Sequence, residues 1–531
     1  MNLTGGLCDR IVLQRDGDGF ADARFEGATA ASGAVEARVL CDGAVVEGFE
    51  WIEVGRAANG RFAGRLQGLR AGGPYEITLR IRHQGEVATT CAVRDVLVGD
   101  VWLLGGQSQM QGAGFFSEDS RLEPHPHVRA QYMDDQWDVA REPLHNMEVA
   151  VDPVHALIDG GPPTCEPFRQ QGPGFSFGLD MQRRAGVPQG LIPCAHSGTS
   201  MQQWDPAEVE LGGASLFGAM IRRLRHAGGR VKGVIWAQGE SDATAECAPH
   251  YGARMRAFIE AVRRHAGDPG LPFVMAQIAR SGDAGEDRAA WNSIQEQQRR
   301  LGDEIHRCAL VPTIDLELDD TIHYGGAAQV RLGRRLADAA WSLTGDDQTP
   351  RPIRLAKVTL QSNPWRELAV FDVQFHNVVG RLVAGSRPEG FAVLDASGRP
   401  LPSLYRTRLH GDRVHLLLYH PARESGSLRP PKPSNLSVAS WPMGIQASAP
   451  FPASRRTAGT SPARSPAHSR HLASPGRRSG RATRSGPGRR RWPARCRRRT
   501  RPGPSGCRSR RWRCAAGAAV PVPRPWGFPF L

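Results

Sequence analysis

No run of about eighteen apolar residues occurs anywhere in this chain of 531, so an ordinary membrane-spanning helix is not expected. The opening residues, MNLTGGLCDRIVLQRD, lack a basic start followed by an apolar core, and no secretory signal is expected as the sequence is written. The cytoplasm is then the expected compartment, with the periplasm or the exterior left open should the true start lie elsewhere. Paired cysteines are also missing: seven of the ten lie scattered between Cys8 and Cys308 without a CxxC spacing, which points to isolated core thiols and away from zinc. Lysine and both acids are absent from Phe451 to Leu531, a stretch with 21 arginines. The formal charge of +15 therefore belongs to the tail, and residues 1–450 carry −6.

Two common site patterns are absent as well. The sequence Gly106-Gln107-Ser108-Gln109-Met110 lacks the second glycine of a G-x-S-x-G elbow. No Gly-Lys-Ser/Thr follows Gly105-Gly106, so the glycine pair is not a phosphate loop.

What is present centres on GDVWLLGGQSQM, residues 99–110. Asp100 to Leu104 read as a buried strand stopped by Gly105-Gly106, with Ser108 just past the turn. A serine there stands at the rim of an α/β sheet, where a nucleophile is wanted; on this stretch alone, a serine capping a helix from Gln109 explains it equally well. Upstream, residues 11–16, 34–43, 61–69 and 74–85 are short alternating runs broken by Gly and Asp, the pattern of a small antiparallel sandwich. Downstream, apolar strands at 128–133, 190–196, 231–239, 272–279 and 308–314 are interleaved with amphipathic stretches at 215–228, 251–267 and 327–341. That alternation predicts an α/β fold, a doubly wound and mainly parallel sheet with helices on both faces. Residues 346–423 return to β patterning around a turn at Asp395 to Gly398.

The expected domains are thus 1–95, a β-sandwich-like N-terminal part; 96–345, the α/β part; 346–425, a C-terminal β part; and 426–531, an Arg/Pro/Ser-rich tail unable to bury a core. Three readings of the tail compete: a basic arm for phosphate-bearing partners, a solvated linker, or the product of a frameshift. The frameshift is favoured.

Three strand-end segments join Ser108. Gly198 follows the 190–196 strand, and Gln238, Gly239 and Glu240 follow the 231–237 strand. Asp320 and His323 sit three apart on a turn before the last helix, where the carboxylate can orient the imidazole towards Ser108. Each alone is better explained blandly, as backbone geometry, a loop hydrogen bond or a helix cap; together, in this order, they are hard to obtain by chance. Trp137, Trp204 and Trp236 are candidates for stacking on sugars, with a core role the commoner reading.

These residues make the chain resemble the sialate O-acetylesterase family of carbohydrate esterases, within the SGNH (GDSL-like, flavodoxin-like) hydrolases, over about residues 8–420. The matching segments are VLQRD (12–16), GGPYEITL (72–79), VLVGDVWLLGGQSQM (96–110), GPGFSF (172–177), GLIPCAHSGTSMQQWDP (190–206), KGVIWAQGES (232–241), and DDTIHY (319–324) with GRRLA (333–337). The resemblance implies Ser108 as nucleophile, His323 as general base and Asp320 as orienting acid. It also implies oxyanion donors at the backbone N–H of Ser108 and Gly198 and the side-chain amide of Gln238, with no metal and no cofactor. Gln107, Gln109 and Glu240 are supporting candidates. Gln109 stands where the family has Asn, and Glu240 is the rival of Asp320 for His323. The implied substrate is an acetylated carbohydrate, sialic acid or another acetylated sugar, with neither nucleic acid nor a membrane span as partner. Two other classes remain open: a glycan-binding pseudoenzyme, and a nucleic-acid binder acting through the tail.

Overall fold

The computed structural model describes residues 1–156, 169–345 except 284 and 286, 353–419 with short interruptions, and the segments 437–440 and 446–448. These belong to one compact unit, Met1–Ala453. The turn at Asp395 to Gly398 and the tail from 449 onward lie outside the described residues.

One strand organises the rest. β1 (Glu86–Gly106) runs for 21 residues and serves two sheets in succession. Its first half pairs antiparallel with Gly72–His83, the innermost strand of an antiparallel series that continues through Gly33–Cys41, Ile52–Ala58, Arg61–Arg70 and Phe20–Ala28. The alternation seen in the sequence is the alternation of burial here: Val35, Ala37 and Val39 on one strand, and Ile77, Leu79 and Ile81 on its neighbour, point into a shared core. Hydrogen bonding is continuous across this series into β1.

The second half of β1 lies at the centre of a parallel sheet. β2 (Val128–Gln131), β3 (Gln189–Pro193), β4 (Gly233–Ala237), β5 (Phe273–Ala276) and β6 (Cys308–Val311) are its other parallel strands, with Trp137–Val139 added antiparallel on the outer edge of β2. The spatial order is β2-β3-β1-β4-β5-β6, every neighbouring pair parallel. Leaving β1, the chain first builds β2 and β3 on one side and then crosses to β4 on the other. Such a reversal opens a crevice beyond the carboxyl ends of the flanking strands, where α/β folds bind ligands.

The strands of this sheet are buried on both faces, as parallel strands must be. Trp102 and Leu104 of β1 join the apolar cluster of α2 (Gly174–Ala185) and α6 (Gly326–Thr344). Val101 and Leu103 point the other way, into the core shared with α3 (Leu216–His226), α4 (Tyr251–Ala266) and α5 (Arg288–Glu304). Helices therefore cover both faces. α2 and α6 touch closely because Gly333 has no side chain: a Cβ there would sit 1.9 Å from Ser176 Oγ. Arg15 anchors the chain near its start, pairing through Nε and Nη2 with both oxygens of the buried Asp100 at 2.9 and 2.8 Å.

At the C-terminal side, Arg354–Asn363, Leu368–His376, Arg413–Tyr419 and Leu404–His410 form a four-stranded antiparallel sheet. It has an apolar cluster of its own, including Phe371, Val373, Val414 and Leu416. Two further strand pairings extend past the expected boundary at 425. Ser437–Ser440 pairs with Phe391–Leu394, and Gln446–Ser448 with Arg381–Val383. Strand pairing thus reaches into the stretch that composition assigned to the tail. Runs as short as SVAS and QAS have too few apolar residues to show an alternation.

Candidate active site

The nucleophile candidate is placed by the geometry of the β1 end. Gly106 takes φ +129°, and a Cβ there would stand 2.0 Å from the carbonyl oxygen of Ala237. Only glycine allows the chain to pass this close to β4 and turn upward. The backbone N–H of Gln107 closes the turn on Ala237 O at 2.8 Å. Ser108 then opens α1 (Ser108–Gln111), so its N–H belongs to a first helical turn and has no acceptor within the helix.

The turn after β6 brings the other two residues. Leu318 and Tyr324 bridge, and the N–H of Asp319 reaches His323 O at 2.8 Å, making a tight loop. Within it, Ser108 Oγ lies 3.0 Å from His323 Nε2, and His323 Nδ1 lies 2.8 Å from Asp320 Oδ2. Since a carboxylate only accepts, Nδ1 carries the proton and Nε2 offers its lone pair to the serine hydroxyl. Asp320 Oδ1 accepts the backbone N–H groups of Ile322 and His323 at 2.9 and 2.7 Å. Burial by itself would raise the Asp320 pKa, but the His323 ring and these two N–H donors outweigh it and hold the carboxyl well below its usual range.

Glu240, the rival acid, is a buried residue of the short turn Glu240–Asp242 after β4. The carboxylate bound to His323 is that of Asp320.

The loop after β3 carries Gly198, in the left-handed region at φ +69°. It is held from several directions. His196 N–H donates to Gly106 O at 3.0 Å, Ser197 N–H to Gln111 Oε1 at 2.7 Å, and Met201 N–H to Asp242 Oδ2 at 2.8 Å. Gln238 also grips it. Its amide nitrogen donates to Thr199 O at 3.0 Å and to Asp242 Oδ2 at 2.6 Å, which commits both of its hydrogens. As placed, Gln238 braces the Gly198 loop and has no N–H left for an oxyanion. Gln107 Oε1 accepts from the N–H of Gly239 and of Ser241, both at 3.3 Å, so it fastens the Ser108 turn to the loop after β4. Gln109 turns away from the serine and binds the His323 turn.

Asp242 and Gln111 were not singled out in the sequence. Asp242 lies in the same QGESDA segment as Gln238, and Gln111 is one helical turn after Ser108; those positions were the available signals. The three tryptophans are core: Trp204 and Trp236 are fully buried and Trp137 nearly so, and Trp204 meets Trp236 edge-on. Among the described residues, no group of three or more His, Cys, Asp or Glu converges as a metal ion would require. No helix among them is long and apolar enough to cross a membrane.

An α/β sheet with a hydrogen-bonded Ser, His and Asp outside its carboxyl edge is the framework of many hydrolases. Comparison with known proteins narrows this. Residues 98–342 match the family model for carbohydrate esterases described as sialic acid-specific acetylesterase. A probable carbohydrate esterase of Arabidopsis thaliana is 30% identical over 260 residues, covering 45% of this chain and 89% of that protein. Human sialate O-acetylesterase is 26% identical over 272 residues, covering 43% of this chain and 49% of the human protein. The crystal structure of a carbohydrate acetylesterase from Xanthomonas citri superposes with a TM-score of 0.57 at 26% identity, covering 79% of this chain and 91% of that one. That share exceeds what residues 98–342 supply, so the likeness includes flanking β structure. The chain belongs to the sialic acid-specific acetylesterase family of carbohydrate esterases. It is accordingly an esterase of the kind that hydrolyses O-acetyl groups.

Proposed function

We propose that this protein removes O-acetyl groups from sialic acid or another acetylated sugar through an acetyl-serine intermediate. The observation that carries this reading is the chain of contacts from Ser108 Oγ to His323 Nε2 and from His323 Nδ1 to Asp320, at 3.0 and 2.8 Å. A serine hydroxyl is a poor nucleophile until a neutral imidazole takes its proton. His323 takes it as Oγ attacks the acetyl carbonyl, and then delivers it to the departing sugar oxygen. Water repeats the sequence to release acetate. Asp320 fixes the ring and stabilises its cation in both halves.

Charge develops on the carbonyl oxygen during attack, and fixed N–H groups aimed at it are each worth roughly 10²-fold or more in rate. The backbone N–H groups of Ser108 and Gly198 fill that role. For Gln238 to add a third donor, its amide has to release Thr199 O or Asp242. Acetate release from 4-nitrophenyl acetate and from acetylated sugars, measured for the wild type and for a folded Ser108→Ala variant, tests the reading. Nearly complete loss in the variant is expected; turnover equal to wild type overturns it.

A further inference from the structure

We infer that Gln109 is a positioning residue that sets the height of the His323 imidazole over the nucleophile, an inference that rests on the mechanism just proposed. Gln109 follows Ser108 directly, yet its side chain makes its contacts more than two hundred residues away. Its Nε2 donates to Ile322 O at 2.7 Å, and its Oε1 accepts the N–H of Tyr324 at 3.3 Å and the Nε2 of Gln329 at 3.0 Å. Ile322 and Tyr324 are the residues on either side of His323. One amide therefore brackets the histidine, holding the carbonyl before it and the N–H after it.

The orientation of this amide is not arbitrary. A backbone carbonyl only accepts and a backbone N–H only donates, so the two faces of Gln109 can be arranged in one way. The residue is 1% exposed, and so is Tyr324, while the Ile322 contact is partly buried, so losing these bonds strands polar groups that water reaches poorly. Other bonds on this turn, from Gly282 N–H to Thr321 O at 2.7 Å, from Phe115 N–H to Asp319 Oδ2 at 2.9 Å and from the Tyr324 hydroxyl to Gln277 O at 3.2 Å, tie it to its surroundings away from Ser108. Gln109 is the link between the turn and the residue adjoining the nucleophile. Glutamine spans this gap with three partners at hydrogen-bond distance; asparagine at the same Cα is one methylene shorter and cannot reach both flanking peptide groups unless the backbone moves.

A displacement of about 1 Å between reacting groups costs on the order of 10² in rate. Gln109→Leu is therefore expected to lower kcat on 4-nitrophenyl acetate by about 10²-fold with KM little changed, and Gln109→Asn by less. The readout that a merely structural role leaves in place is the Nδ1–H proton resonance of His323, observed in protein with isotope-labelled histidine. It is expected to be distinct in the wild type, and shifted or exchange-broadened in both variants at temperatures where they remain folded. Wild-type turnover in Gln109→Leu overturns the inference, as does lost turnover with an unchanged His323 resonance. Should Gln109→Leu not fold, Gln109→Asn carries the same two readouts. Ser108→Ala in the same series separates the failures: full activity there removes the proposed mechanism, whereas an inactive Ser108→Ala beside a fully active Gln109→Leu removes only the role of Gln109.

Discussion

Asp320 holds His323 twice, accepting the backbone N–H of the residue through Oδ1 at 2.7 Å and the ring Nδ1–H through Oδ2 at 2.8 Å. The carboxylate that fixes the tautomer thus also fixes the turn on which the ring stands. Asp320→Asn presents an amide to both donors and cannot satisfy them in the same way. Deacetylation is expected to fall by about 10²-fold to 10⁴-fold in kcat, with a much smaller loss for Glu240→Gln. Steady-state kinetics of the two variants checks this. A larger loss in Glu240→Gln would reassign the acid.

Gly106 lets β1 turn against β4. Gly106→Ala meets both a positive φ and a carbonyl oxygen 2.0 Å from the new carbon. A loss of at least about 2 kcal/mol in stability is expected, from strain plus the displaced strand end, with esterase activity lost in parallel. Denaturant midpoints of the variant and the wild type measure it.

Glu142 is half-buried, and loss of solvation there pushes its carboxyl up to about 8 against the pull of the N–H groups of Leu144 and Gly172. In the unfolded chain a glutamate titrates near about 4.3. Between those values the folded protein keeps a proton that the unfolded chain has lost, so stability falls as pH rises through this window. Glu142→Gln does not titrate. Its melting temperature is expected to decline less than that of the wild type between about pH 5 and pH 8, and parallel slopes would show that Glu142 is not the group responsible.

The α/β core was legible because its strands are buried on both faces and read as unbroken apolar runs, as in GLIPCAH and VKGVIWA. Helices α3, α4 and α6 showed through their apolar stripes. α5 did not, because two of its buried positions are Gln295 and Gln298, whose amides bond to backbone carbonyls, including those of Ile278 and Gln238. In the sequence such residues pass for a solvated face. Ser108, Asp320 and His323 stood out by their joint placement at strand ends, and the family resemblance is what gave each of them a role. The bracing by Gln107, Gln109 and Asp242 could not be read, since an amide or acid that holds a backbone looks the same in sequence as one facing water. Gln109, a supporting candidate in the sequence, points its side chain to the turn carrying His323.

The most direct measurement is intact-protein and peptide mass spectrometry of the enzyme quenched in acid during turnover of 4-nitrophenyl acetate. The expected result is one acetyl group per chain on the peptide containing Ser108, absent from Ser108→Ala and accumulating too slowly to be seen at the same time in His323→Ala. Turnover with no acetyl group on Ser108, or with the label on another residue, would contradict the acetyl-serine mechanism.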